Sequence, residues 1–149
     1  MLHIAIANQQ RTLPVERGRI RRTLRRILED HGIEQAEISV AVVDDPAIAR
    51  LHGEFLQDGT PTDVLSFLLA SAQGMIEGEV IVSADTAAAT APRFGLTPAD
   101  ELLLYIIHGT LHLVGYDDTT PKARSAMHRK QRAYLIAALR ARGARVPEE

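Results

Sequence analysis

The chain has 149 residues, of which 46% are apolar, with a formal net charge of −2 and no cysteine. That amounts to one domain of ordinary size, spanning residues 1–149, with ample apolar material for a single core. Disulfides and thiolate metal ligands are excluded, a reducing, cytoplasmic setting is expected, and neither a secretion signal nor a membrane-spanning run is visible.

Leu2 to Ala7 alternates apolar and polar side chains and predicts a strand. Val15 to His31 predicts a helix closed by Gly32, with Ile20, Leu24, Ile27 and Leu28 on one stripe and arginines on the other face. The β-branched run Ile38 to Val43 predicts a second strand, and Asp45-Pro46 supplies an N-cap and first-turn proline for a short helix to about Phe55. After a loop from Gln57 to Pro61, the segments Val64 to Leu69 and Glu79 to Ser83 predict two further strands separated by a glycine-containing connection. Alanine-rich Ala84 to Phe94 suits a helix ending at Gly95. Thr97, Pro98 and Glu101 mark the start of the helix that carries His108 and His112. Pro121 opens a last helix to about Arg142, stopped by Gly143, with Met127, Leu135, Ile136 and Leu139 directed to the core. The fold class is a single-domain α/β sandwich, a small mixed sheet of about four strands packed with about five helices.

Charge is segregated along the chain. Seven arginines lie between Arg11 and Arg26 and eight basic residues between Lys122 and Arg145, leaving an acidic middle. Composition alone reads these as solvated helix faces, because aromatic residues that stack bases are scarce. The alternative is a pair of cationic helices flanking the centre and gripping an RNA backbone through its phosphates.

The stretch His108 to Asp118, HGTLHLVGYDD, carries the chemistry. Histidines four apart on a helix share a face, so the imidazoles of His108 and His112 can converge on one ion. Gly115 offers the left-handed stop that lets the chain turn back, and Asp118 can then swing toward the same point as a third ligand. A pair of histidines at this spacing is more often two ordinary half-buried side chains, but the ordered array of two histidines, glycine and carboxylate follows the extended zinc-hydrolase helix. Three ligands leave a tetrahedral position open for water, which a catalytic zinc acidifies to a pKa of roughly 7. Gly109 stands where metalloproteases carry their glutamate base, which disfavours peptide hydrolysis.

These residues resemble the signature of the YbeY endoribonuclease family, HGxLHLxGYDH, at His108, Gly109, Leu111, His112, Leu113, Gly115, Tyr116 and Asp117. Pro61 to Phe67, PTDVLSF, is similar to a second family signature, and Gly78 to Ser83, GEVIVS, to a third, with Glu79 in place of aspartate. The resemblance implies a small α/β metalloprotein holding one zinc ion per chain, acting on ribosomal RNA, with the small ribosomal subunit or its proteins as partner. Two departures stand out. The family's third histidine falls on Asp118, giving a ligand set of His108, His112 and Asp118 whose added negative charge weakens the ion as a Lewis acid. The family's arginine falls on Leu56, which leaves a phosphate-holding cation to be found elsewhere.

Thr62, Asp63, Ser66, Glu79 and Asp117 are candidates for outer-sphere or substrate contacts. Around the start of a strand, Thr62, Asp63 and Ser66 serve equally to cap backbone, while Asp63 suits the far nitrogen of a ligating histidine. Tyr116 and Asp117 read as turn and packing residues, with Asp117 the nearest spare carboxylate. His3, His31, His52 and His128 read as surface or core histidines outside the site. The function expected is a metal-dependent single-strand endoribonuclease of ribosomal RNA maturation and ribosome quality control. The alternatives are a non-enzymatic ribosome assembly factor with a structural metal, or a hydrolase of another substrate class.

Overall fold

A computed structural model describes residues 1–56 and 63–141 of the chain. The expected loop from Gln57 to Pro61, together with Thr62 and Gly143, lies outside the described residues. The remaining elements run β1 (Leu2–Asn8), α1 (Arg17–Asp30), β2 (Gln35–Val43), α2 (Asp45–Leu56), β3 (Val64–Ala72), β4 (Met75–Ser83), α3 (Ala84–Thr90), α4 (Pro98–Leu113) and α5 (Pro121–Ala141), with a short 3-10 turn at Ala91–Phe94. The expected class holds: one mixed sheet of four strands and five helices.

The sheet order is β1-β2-β4-β3, parallel from β1 through β4, with β3 antiparallel at one edge. β3 and β4 form a hairpin that turns at Gln73 and Gly74, where φ is 74°. Both strands run further than their sequence pattern predicts, since Gly78 lies inside β4 rather than in a connection. Its place there is steric: a Cβ on Gly78 would stand 2.9 Å from Leu113 of α4, so the glycine admits that side chain to the sheet.

Side-chain alternation sends Ile38, Val40 and Val42 of β2 and Val80 and Val82 of β4 into the main core. Ile20, Leu24, Ile27 and Leu28 of α1 join it as one buried stripe, with α3, α4 and α5. A smaller cluster of Val43, Ile48, Leu65 and Ile81 seats α2 on the opposite face. One arginine departs from its expected solvent-facing position. Arg19 is 7% exposed, with Nη1 2.6 Å from Asp100 of α4 and 3.3 Å from Glu16.

α4 is apolar almost all round, from Leu102 to Leu113, because it lies between the sheet and helices α1, α3 and α5. Thr97 caps it, Oγ1 accepting from the Asp100 N–H at 3.2 Å, ahead of Pro98. A Cβ at Gly109 would meet Val80 Cγ1 at 2.7 Å and Val64 Cγ2 at 3.1 Å, so this glycine lets the helix bed directly on β3 and β4. That fixes its rotation and leaves His108 and His112 on the side turned away from the sheet.

Candidate metal centre

The turn after α4 builds the site. The Gly115 N–H donates to the His112 carbonyl at 3.2 Å and the Tyr116 N–H to the Leu111 carbonyl at 3.0 Å, with Gly115 at φ 114°. This pair of bonds is a Schellman closure, available to glycine at little steric cost. Asp117 then accepts from the Thr119 N–H at 3.1 Å and the Thr119 hydroxyl at 2.8 Å. Those two bonds hold its carboxyl below the usual carboxylate range and make it a turn residue rather than a base. Thr120 accepts from the Ala123 N–H at 3.0 Å and starts α5.

The turn brings Asp118 back under the helix. His108 Nε2 and His112 Nε2 are 3.2 Å apart, and Asp118 Oδ2 is 4.0 Å from His112 Nε2. One ligand atom from each of the three residues lies within 4.8 Å of the others. Two nitrogens bound tetrahedrally to zinc at about 2.0–2.1 Å stand roughly 3.3 Å apart, so the imidazoles already have the separation an ion requires. Asp118, its side chain 53% exposed, stands farther from His112 than the two imidazole nitrogens stand from each other.

The far nitrogens decide the tautomers. His112 Nδ1 lies 3.1 Å from the Tyr116 carbonyl, which only accepts, and His108 Nδ1 lies 2.8 Å from Gln131 Oε1 on α5. Both Nδ1 atoms therefore carry hydrogen, and in neutral rings both Nε2 atoms present lone pairs to each other across 3.2 Å. Two facing lone pairs repel; a cation between them turns that repulsion into coordination. The donor set, nitrogen with oxygen and no sulfur, fits a zinc ion.

His108 opens into a cleft of about 1350 Å³. One wall is α5, with His128, Arg129, Gln131 and Arg132; the other includes Arg93 and Phe94, and Asp63, Glu101 and Tyr105 also line it. Phe94 is 60% exposed. No described lining residue comes from α1, so of the two basic segments only α5 faces the cleft. Glu101 is 2% exposed, its Oε2 has no partner, and burial followed by the charge of Asp63 pushes its carboxyl up. Burial likewise raises the Tyr105 hydroxyl to about 12.

The sequence candidates separate on this geometry. His108, His112 and Asp118 meet. Asp63 lines the cleft, but the outer-sphere bond expected of it is made by Gln131 instead. Ser66 pairs with Val80 and so shares the face that receives α4, whereas Glu79 pairs with Phe67 on the α2 face. The sheet stands between Glu79 and the imidazoles, which corrects its expected place near the site. Gln131 escaped the sequence reading, although a signal existed: it interrupts the apolar stripe of Met127, Leu135 and Leu139 with an amide.

Residues 5–138 match the family described as Endoribonuclease YbeY. The chain belongs to this family. A YbeY endoribonuclease of Rhodopirellula baltica is 42% identical over 118 residues, covering 78% of this chain and 59% of that protein. One from Salinibacter ruber is 34% identical over 145 residues, covering 91% and 92%. The solution structure of TM1509 from Thermotoga maritima superposes with a TM-score of 0.64 at 28% identity, covering 93% of this chain and 89% of that one. Of the two positions singled out from the sequence, Asp118 stands at the site and Leu56 closes α2, its side chain outside the described residues.

Proposed function

We propose that this chain is a zinc-dependent, single-strand endoribonuclease that acts in ribosomal RNA maturation and ribosome quality control. One observation carries the reading: two imidazoles locked in the Nδ1–H tautomer face each other at 3.2 Å beside a cleft walled by cations. Relatives bearing the name endoribonuclease supply the substrate class. His108, His112 and Asp118 would hold the ion. When bound, it supplies Lewis-acid stabilisation of charge on a phosphoryl oxygen and activation of water.

The chain's own groups do the rest. Arg93, Arg129 and His128 hold backbone phosphates and take over from the arginine missing at Leu56, and the exposed Phe94 ring stacks a base of an unpaired strand. Among the described residues no helix is long and apolar enough to cross a membrane. The partner proposed is the small ribosomal subunit, in the cytoplasm.

Elemental analysis and RNA cleavage on one preparation test the reading. The protein should carry one zinc per chain and cut single-stranded RNA, and His112→Ala should lose both. Unchanged cleavage by rigorously purified His112→Ala overturns it. A second reading, a ribosome assembly factor with a structural metal, is favoured by the exposure of Asp118 and the leucine at position 56. Zinc retention and ribosome binding without cleavage under any divalent metal would select it.

A further inference from the structure

His112 is oriented by a chain of bonds that leaves the site. Its Nδ1–H donates to the Tyr116 carbonyl at 3.1 Å, so the ring's direction depends on how firmly the peptide after Tyr116 is held. The Tyr116 side chain packs on the main core, and its hydroxyl lies 3.1 Å from Nε2 of His31, 85 positions earlier in the chain. His31 Nδ1 lies 2.7 Å from the Ile27 carbonyl, which only accepts. Nδ1 therefore bears the hydrogen, the neutral ring's Nε2 is a lone pair, and the Tyr116 O–H must donate to it. The two rings meet edge to face, with centroids 5.4 Å apart and planes at 81°.

His31 stands on firm support. It caps α1, its N–H bonding the Leu28 carbonyl at 3.2 Å. The preceding Asp30 accepts from the buried Tyr134 hydroxyl of α5 at 2.7 Å, which ties the end of α1 to the helix that also carries Gln131. Every bond from Ile27 to His112 is thus directional, and each tautomer is dictated by the next acceptor.

We propose that His31 is a positioning residue for the metal centre: through the Tyr116 hydroxyl and carbonyl it holds the His112 imidazole with Nε2 facing His108. It touches neither ion nor substrate. The proposal rests on the metal reading above, and groups that orient a ligating histidine in this way change metal affinity by about 10–100-fold when removed.

Two full-length variants test it. His31→Phe keeps an aromatic ring but removes both bonds, and Tyr116→Phe removes a single oxygen. Each should weaken zinc binding, measured by chelator competition, by about tenfold, and the double variant should lose no more than either single, because the two act through one bond. In zinc-free protein, nitrogen–proton correlation spectra should show His112 as the Nδ1–H tautomer in the wild type and as a mixture in both variants. Ile20→Val, a core change remote from the site, serves as the control for general loss of stability and should leave the zinc affinity and the tautomer unchanged. Zinc affinities within twofold of wild type together with an unaltered His112 tautomer overturn the proposal, as does an equal loss of affinity in the Ile20→Val control. If His31→Phe folds poorly, Tyr116→Phe alone decides. If the wild type takes up no zinc, the metal reading fails while the tautomer, read without zinc, still settles the brace.

Discussion

At the C-terminal end of α4 the ring atoms turned away from the metal position are bonded, His108 Nδ1 to Gln131 and His112 Nδ1 to Tyr116. Two turns earlier on the same helix, Glu101 buries a carboxylate oxygen with no partner, and its neighbour Asp100 meets Arg19 in a buried ion pair. The first arrangement is preorganisation: only the lone pairs meant for a ligand are left open. The unpartnered oxygen of Glu101 is instead a source of instability, tolerated in the wall of the cleft, where function and stability commonly pull apart.

Breaking the buried pair should produce the largest effect. Asp100→Ala leaves Arg19 buried with only Glu16 at 3.3 Å, and should destabilise the fold by about 3 kcal/mol in urea titration, with zinc affinity of the folded protein unchanged. A loss below about 1 kcal/mol would mean that the pair is no more than a surface contact. At the other end, Asp118→Ala should lower zinc affinity by about a hundredfold, near 2.7 kcal/mol, yet leave the melting temperature of the zinc-free protein unaltered. Equal zinc affinity before and after would remove Asp118 from the ligand set.

Between the two ends, Gly109→Ala drives a methyl into Val80 and should destabilise the fold by about 1–3 kcal/mol while shifting both imidazoles relative to α5. A neutral result would show that α4 can lift off the sheet freely. The smallest effect should be a gain. Glu101→Gln removes a buried charge opposite Asp63 and should stabilise the protein at pH 7 by on the order of 1 kcal/mol. Because the folded carboxyl titrates above its ordinary 4.5, the folded state binds that proton more tightly than the unfolded chain. Wild-type stability from this group therefore falls as pH rises through 4.5 to the folded value and is level above it, so the advantage of glutamine should vanish below pH 4.5. An advantage that persists in acid would locate the cause in packing instead of charge.

What could be read from the sequence was what is local to it. The candidate ligands span only His108 to Asp118, so helical spacing and one glycine stop specify their meeting without knowledge of the rest of the chain. The stripe of α1 and the capped start of α4 were legible for the same reason. Gln131 comes to the site from another helix, so its break in the apolar stripe of α5 did not by itself tell what it meets, and His31, which acts only through Tyr116, carries no local sign of its use. Glu79 was misplaced for want of strand parity: Gly78 and Val80 face α4, so the residue between them faces away. The arginines of α1 stood open to two readings, a solvated face or a grip on RNA, because composition records charge and not direction, and Arg19 in fact serves the core.

Asp118, the third candidate ligand, stands in a connection rather than in a helix or strand. Residues 114–120 keep their shape through bonds of Gly115, Tyr116, Asp117 and Thr120 that do not involve the Asp118 side chain. Position 118 is thus free to change its chemistry without disturbing the fold. A carboxylate there adds a negative charge that a neutral imidazole would not, and either side chain is an ordinary ligand for zinc. The charge of this candidate donor set thus rests on one exposed side chain, adjustable by a single codon, while the two helical imidazoles stay where α4 holds them.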